Sequence, residues 1–140
     1  MIVLVGDIGG SNSRLALVKE GNKTFERNYA SGDFASFDAV LDKFFEEARK
    51  TLGQEARPER ACLGVAGPVE GDKSRITNLP WFIDARKLES RNKIARVILM
   101  NDFQAAALGV TVLGPEHLVQ LGGGDRNPTG PIVVAGAGTG

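Results

Sequence analysis

The chain has few of the residues that build disulfide frameworks or metal clusters. It contains one cysteine and one histidine among 140 residues. A single cysteine excludes a disulfide framework and a cysteine metal cluster. Cys62 lies in an apolar run, so we expect a buried thiol in a reducing compartment. His117 has no cysteine or acidic residue at metal-ligand spacing, which favours a residue at the surface or at a helix end.

Net charge and long hydrophobic runs are also missing. The 17 Lys and Arg residues balance 17 Asp and Glu residues, so the composition does not indicate a nucleic-acid or membrane surface as the main partner. No apolar stretch approaches the roughly 20 residues that span a bilayer. Asp7 and a glycine turn interrupt the first apolar run, where a signal peptide would continue. We therefore expect a cytoplasmic protein.

The residues that are present fit one domain with a substantial core. Hydrophobic residues make up 42% of the chain, and a fold of this size buries roughly two-thirds of the surface of its unfolded chain. Near the N-terminus, β-branched and alternating runs separated by glycine turns predict a three-stranded meander. Its strands are expected at Met1–Val5, Arg14–Val18 and Thr24–Ala30.

Helical spacing of apolar residues begins after this meander. The period of about 3.6 residues predicts a helix from Phe37 to Leu52, with Ser36 as N-cap and Gly53 as C-cap. Later runs are apolar on both faces, which is typical of central strands in a sheet covered on both sides. We expect strands at 60–66, 96–100 and 131–135 and helices at 84–93 and 103–110. This order predicts an α/β fold with a mixed sheet.

Three strand ends carry glycine or polar residues: Gly6–Gly10, Asn101–Asp102 and Gly136–Gly140. Ligands in α/β sheets bind beyond the carboxyl ends of strands, so these segments are candidates for one common cleft.

The first of these turns combines an acid with glycines. Gly9 and Gly10 allow positive φ and close backbone approach, so their amides and the Ser11 hydroxyl are suited to phosphate oxygens. Asp7 is suited to a divalent cation held through water beside those phosphates. The alternative is an ordinary loop in which Asp7 accepts turn amides. Neither the GxGxxG fingerprint nor a Walker A loop occurs here.

The other two segments also have alternatives. Asp102 is either the N-cap of the following helix or a base that accepts a proton from a substrate hydroxyl, with Asn101 holding that substrate. The turn that includes Thr139 is either a second phosphate site or a flexible tail. Trp81 and Phe82 favour core or loop anchoring. Asn78 favours a turn, with a polar contact at a cleft rim as the alternative.

Five motifs occur together in one order: GDIGGSNSRLAL, GVAGPVEGD, ITNLPW, MNDFQAAALG and GAGTG. This combination resembles bacterial glucokinases of the hexokinase, actin and Hsp70 superfamily, over residues 2–140. The resemblance implies an actin-like ATPase fold with a ribonuclease-H-like small domain. It also implies transfer of the ATP γ-phosphate to the 6-hydroxyl of glucose.

The resemblance further implies roles for individual residues. Asp7 would bind Mg²⁺ through water, Asp102 would be the catalytic base, and Asn101 would bind sugar hydroxyls. The implied ATP-binding residues are Gly6, Asp7, Ile8, Gly9, Gly10, Ser11, Asn12, Gly136, Gly138, Thr139 and Gly140. The implied substrate-binding residues are Gly67, Asn78, Asn101 and Asp102.

Members of that family continue beyond GAGTG into a larger domain with further sugar and adenine ligands. We therefore expect residues 1–140 to be the N-terminal small domain, with little turnover by itself and an apolar patch that favours self-association. The full-length protein is expected to be a homodimer. Alternatives are a related kinase acting on mannose, fructose or an amino sugar, and a non-catalytic sugar- or nucleotide-binding module of the same fold.

Overall fold

The computed structural model describes residues 1–125, 127 and 129–136. It divides into two compact units, Met1–Ala105 and Ala106–Gly140. Across the described residues, the strands are β1 (Ile2–Ile8), β2 (Asn12–Lys19), β3 (Asn22–Ala30), β4 (Arg60–Val65), β5 (Val69–Glu70), β6 (Lys73–Arg75), β7 (Phe82–Asp84) and β8 (Arg96–Asn101). The α-helices are α1 (Phe37–Leu52), α2 (Ala85–Asn92) and α3 (Asp102–Val110).

The first unit is organised by a five-stranded mixed sheet in the order β3-β2-β1-β4-β8. The N-terminal meander is antiparallel, whereas β1, β4 and β8 run parallel to one another. This arrangement confirms the predicted α/β fold with a mixed sheet and an antiparallel opening.

Helix α1 covers one face of this sheet and matches its prediction. The Ser36 hydroxyl accepts a hydrogen bond from the Ala39 amide at 3.3 Å, and Gly53 ends the helix with a φ of 58°. Six apolar residues of α1 are buried, and Leu52 is half-buried. Phe44, for example, packs edge-on against Phe25 of β3 with ring centroids 5.4 Å apart. Burial of one such side chain contributes roughly 1.5–3 kcal/mol, so this face supplies much of the core.

The opposite face of the sheet is less covered. Val5 and Cys62, which are paired across β1 and β4, are half-buried, and Ile98 beside them is 47% exposed. The prediction that the central strands are covered on both sides is therefore confirmed for one face and wrong for the other. Cys62 is a half-buried thiol rather than a buried one, and its partial burial raises the pKa of that thiol.

A second, three-stranded sheet of order β5-β6-β7 was not expected from the sequence. Its strands have two or three residues each, and half of their eight side chains are charged. Such short polar strands lack the apolar alternation by which strands are recognised. Trp81 leads into β7 with 1% exposure and donates its indole N–H to the Phe34 carbonyl at 3.2 Å, which confirms its role as a core anchor.

The predicted strand at 131–135 is wrong. These residues form no regular secondary structure, and Ile132 and Val133 are 57% and 88% exposed. A strand requires a neighbouring strand for its backbone N–H and C=O groups. No such pairing involves 131–135 in the part of the chain that the structure describes. Within that part, no helix has the length and apolar character needed to cross a membrane.

Glu89 connects α2 to the start of β8. Its carboxylate accepts the Val97 amide at 2.8 Å and the Arg86 guanidinium at 2.9 Å, and lies 3.9 Å from the Arg96 guanidinium. The bond from the Val97 amide, and then that from Arg86, lower the pKa of Glu89 below its ordinary value of 4.5. Because the folded chain holds this proton less tightly than the unfolded chain, the contribution to stability is present above pH 4.5 and is lost as the pH falls.

We predict that Glu89→Gln reduces the acid sensitivity of the fold. A glutamine oxygen still accepts the Val97 amide but no longer attracts the two arginines, so the variant should lose less stability than the parent between neutral pH and pH values below 4.5. Urea midpoints measured across that range test the prediction. The control is Glu20→Gln, a carboxylate outside this network. If Glu89→Gln and the parent lose the same stability between neutral and acid pH, the assignment to Glu89 is contradicted.

Candidate functional site

The carboxyl ends of β1, β4 and β8 lie at the same edge of the sheet. Ile8 pairs with Val65, and Val65 pairs with Asn101. The loops that follow these residues therefore emerge side by side, which is where α/β sheets bind ligands. Of the three predicted segments, the structure brings Gly6–Gly10 and Asn101–Asp102 to this edge.

Two acidic residues flank a glycine on the sheet face opposite α1. Asp7 of β1 pairs directly with Gly64 of β4. A Cβ built on Gly64 would lie 3.8 Å from the Asp102 Cα and 3.4 Å from the Ala105 Cβ. The space at Gly64 would hold a methyl group but no larger side chain, so the first turn of α3 rests close to the strand and brings Asp102 to the same face as Asp7. Both acidic residues are exposed. A glycine inside an apolar strand is a recognised sign of close approach, but sequence reasoning did not single out Gly64.

The glycine turn after β1 is held by close contacts. A Cβ on Gly9 would lie 3.1 Å from the Asn12 carbonyl oxygen, and one on Gly10 would lie 3.1 Å from the Thr77 carbonyl oxygen. Neither glycine has a positive φ. Their lack of a side chain therefore serves close backbone approach, while the expected left-handed conformation is absent from this turn. The Gly9 amide donates to the Asn12 carbonyl at 2.8 Å, so it is already used within the turn.

Two buried hydroxyls support this turn from below, and sequence reasoning missed both. The Ser31 hydroxyl donates to the Gly9 carbonyl at 2.8 Å and lies 2.9 Å from the Ser13 hydroxyl. Because a hydroxyl has one hydrogen, Ser13 must be the donor to Ser31. Ser13 and Ser31 are both 0% exposed, and the Ser31 amide also donates to the Ser11 carbonyl at 2.9 Å. Ser11 itself is exposed at the top of the turn.

Asn101, and not Asp102, caps α3. Its side-chain oxygen accepts the amides of Phe103 at 3.0 Å and Gln104 at 3.3 Å. The prediction of Asp102 as the capping residue is therefore wrong, because the helix begins one residue earlier than expected. Asp102 accepts a single hydrogen bond from the neighbouring Phe103 amide, at 2.7 Å through Oδ1.

Asn101 also ties α3 to the loop after β4. Its Nδ2 donates to the Gly67 carbonyl at 3.2 Å. Gly67 is buried, and a Cβ there would overlap the carbonyl oxygen of Arg75. The preceding residue, Ala66, accepts the Thr77 amide at 2.9 Å. These contacts bring the predicted substrate residues Gly67 and Asn101 together.

The remaining predicted residues have simpler surroundings. Gly6 lies within β1, where a Cβ would meet the side chains of Leu15 and Leu63 at 2.8 Å, and the Ile8 side chain is fully buried. Asn12 is exposed at the start of β2. Asn78 adopts a φ of 66°, which confirms a turn, and a Cβ on Gly10 would lie 3.8 Å from its Cβ.

Four of the predicted residues, Gly136, Gly138, Thr139 and Gly140, belong to the second unit. Gly136 is exposed, and Gly138, Thr139 and Gly140 lie outside the described residues. His117 is exposed in a short 3-10 turn, as expected, with its Nε2 3.4 Å from the Glu116 carboxylate.

The two buried hydroxyls should make unequal contributions to stability. Ser31→Ala leaves the Gly9 carbonyl and the Ser13 hydroxyl without partners, so we expect a loss of about 1–3 kcal/mol. Ser13→Ala removes only a donor to Ser31 and should cost about 0.5–1.5 kcal/mol. The double variant should lose less unfolding free energy than the two single variants added together, since the two hydroxyls share one hydrogen bond. Urea unfolding of all four proteins measures these values, and strict additivity would contradict the shared bond.

We also predict that Gly67→Ala destabilises the loop after β4. The added methyl overlaps a backbone oxygen that cannot rotate away, so the loop must move at a cost of about 1–3 kcal/mol. Gly32→Ala is the matched control, because nothing lies within 4 Å of a Cβ at Gly32 and its φ is not positive. Equal urea midpoints for the two variants would show that the loop accommodates the methyl freely.

Comparison with known proteins places this chain in a family. The glucokinase family model matches residues 4–140. The glucokinase of Mesorhizobium japonicum is 37% identical over 145 residues, covering 99% of this chain and 40% of the relative. The chain thus spans about 40% of the length of the curated relative that it matches.

Solved structures give the same result for the fold. The crystal structure of a glucokinase from an Antarctic psychrotroph has a TM-score of 0.77 and 27% identity, covering 91% of this chain and 40% of that one. A ROK-family glucokinase from Streptomyces griseus, crystallised with glucose and AMPPNP, has a TM-score of 0.57 and 23% identity, covering 78% and 36%. The α/β architecture is thus that of the actin-like ATPase fold. As its motifs suggested, and with a match over nearly its entire length, this chain belongs to the glucokinase family.

Proposed function

We propose that this chain forms the N-terminal part of an ATP-dependent glucokinase, which transfers the γ-phosphate of ATP to the 6-hydroxyl of glucose. The observation that carries the proposal is the placement of Asp7 and Asp102 on either side of Gly64, at the carboxyl edge of three parallel strands. This edge offers one acid for the phosphate side of the reaction and another for the hydroxyl that attacks. Family membership supports the same reaction class.

Asp102 acts as the base in this proposal. Its Oδ1 is held by the Phe103 amide at 2.7 Å, which orients the carboxylate. Asn101 supplies the helix cap, so Asp102 is not needed for that purpose. Asp102 accepts the proton of the sugar hydroxyl as that hydroxyl attacks phosphorus.

Asn101 and Gly67 form the sugar side of the site. One Nδ2 hydrogen of Asn101 is used by the Gly67 carbonyl, which leaves the second for a sugar hydroxyl. Gly67 is buried against Arg75, so its part in the proposed sugar side is the carbonyl that orients the Asn101 side chain. Asn78 stands at the turn beside Gly10, where it reaches the rim between the sugar and the phosphates.

The glycine turn and Asp7 form the nucleotide side. Asp7 offers one exposed carboxylate, and Mg²⁺ is commonly held by one or two carboxylates together with water and phosphate oxygens. The residues present thus fit a magnesium ion, which supplies neutralisation of phosphate charge when bound. We assign the phosphates to the segment from Gly6 to Asn12, where Gly10 and Ser11 form the tip of the turn and the Ile8 side chain is buried. By family membership we also assign phosphate contacts to Gly136, Gly138, Thr139 and Gly140, the last three of which lie outside the described residues.

The rest of the proposal concerns the whole protein. We place the complete enzyme in the cytoplasm as a homodimer, and assign its remaining sugar and adenine contacts to residues outside this chain. The chain alone is expected to bind ligands weakly, because it offers only part of the proposed cleft.

Binding by the chain itself tests the sugar side. We expect calorimetric titration with glucose to give weak, saturable binding that Asn101→Asp reduces, because a carboxylate removes the Nδ2 donor but still accepts the Phe103 amide. Asn92→Asp, far from this edge, is the control. Tighter binding of mannose, fructose or an amino sugar than of glucose would contradict the proposed substrate. The absence of binding to every sugar by a folded chain would contradict the sugar site.

A chimera tests catalysis. Residues 1–140 replace the matching segment of the Mesorhizobium japonicum glucokinase, and turnover is measured with glucose and Mg-ATP. Asp102→Asn should lower kcat about 10²–10⁴-fold with little change in the KM for glucose. Asp38→Asn, on the exposed side of α1, should leave both values unchanged. Near-normal turnover of the Asp102 variant would exclude Asp102 as the base, and circular dichroism confirms that each chimera is folded.

A further inference from the structure

A second concave site lies at the end of the sheet opposite the candidate active site. A pocket of about 550 Å³ is lined by Arg57, just before β4, by Lys93, just before β8, and by residues near the carboxyl ends of α1 and α2. The six residues of β4 separate the two ends of the sheet by about 20 Å. We call this pocket the basic pocket.

The basic pocket concentrates positive charge. Its lining contains the cations Arg49, Arg57, Arg91 and Lys93 but a single carboxylate, that of Asp42, which leaves a formal charge of +3. Asp42 pairs with Arg91 at 2.6 Å. Among the described residues, no ion pair involves the other three cations. The chain as a whole has zero net charge, so this excess is local.

Helix dipoles do not account for this charge. The carboxyl ends of α1 and α2 each carry the equivalent of roughly half a negative charge, so about +2 remains after both are neutralised. The terminal carbonyls are also satisfied by backbone amides, since the Gly53 amide donates to Arg49 and the Lys93 amide to Glu89. Arg91 also lies 3.7 Å from the Asp38 carboxylate, so the excess charge of the pocket rests on Arg49, Arg57 and Lys93.

Lys93 occupies a position that normally favours glycine. It caps α2 in the left-handed conformation, with φ 55° and ψ 40°. A residue with a side chain is strained there by roughly 1 kcal/mol compared with glycine. The presence of a lysine at a strained position that also lines a basic pocket favours a role for its ammonium group.

We propose that the basic pocket binds a small molecule that carries two or more phosphate groups. Three of the four cations are arginines, whose planar guanidinium groups match phosphate oxygens in pairs. The pocket volume lies within the range of small-molecule sites. Phe45 is 7% exposed and Ala56 is 2% exposed, so both form a floor that adds little contact area. Recognition rests on the phosphates, and the location far from Asp102 makes this a separate site from the one proposed for catalysis.

Titration of the intact chain with sodium pyrophosphate tests the proposal. We expect saturable binding of one pyrophosphate per chain at this pocket, tighter than that of orthophosphate and weakened by added salt. Lys93→Gly should reduce the affinity about tenfold, since it removes one charged contact. The same change relieves the strained φ, so the variant should be at least as stable as the parent and its weaker binding would not reflect unfolding.

Control variants separate the basic pocket from other phosphate sites. Arg57→Ala should also weaken binding, whereas Lys87→Ala, which removes an exposed charge outside the pocket, should not. If Lys93→Gly and Arg57→Ala bind pyrophosphate as the parent does, or if Lys87→Ala weakens binding equally, the proposal is overturned. A hexose bisphosphate replaces pyrophosphate in a second series. Tighter binding of the ester identifies an organic phosphate as the ligand, and tighter binding of pyrophosphate identifies an inorganic one; both support the pocket.

Discussion

The parallel register of β1, β4 and β8 is the constraint on which the candidate active site depends. It places Ile8, Val65 and Asn101 in one row, so that three loops leave the sheet at one edge. The register is fixed by the buried face, because a shift of one residue would turn Leu63 and its neighbours from the core to the opposite face. The same apolar contacts with α1 that stabilise the fold therefore position the acidic residues at the site.

Glycines at three positions allow neighbouring segments of the site to approach one another closely. Gly64 allows α3 to approach the strand, Gly67 allows its loop to lie against Arg75, and Gly10 allows the first turn to meet Thr77. A methyl group would already crowd the neighbouring backbone at Gly67 and Gly10, whereas at Gly64 only a larger side chain would separate the two segments. The polar contacts there are short, such as the 2.8 Å bond from the Ser31 hydroxyl to the Gly9 carbonyl. The site therefore depends on these glycines as well as on its polar side chains.

The sequence predicted the parts of the fold that have strong periodicity or clear end signals. Helix α1, with Ser36 and Gly53 at its ends, and the opening meander are examples. It did not predict β6, because three residues with two exposed charges give no pattern. In the site, the acidic residues could be chosen from their place after apolar runs. The support from Ser31 could not, because it lies 22 residues from Gly9 and depends on tertiary contact.

The contacts of Asn101 explain why Asn101 and Asp102 cannot exchange places. The side-chain oxygen of Asn101 accepts hydrogen bonds from the first amides of α3, and its nitrogen donates one to the Gly67 carbonyl. A carboxylate in its place would face that carbonyl with a second oxygen and repel it. An amide at the next position would remove the negative charge beside Gly64. The two residues are nearly identical in size, but their order is not interchangeable. Asn101 links the loop after β4 to α3, and Asp102 carries the negative charge.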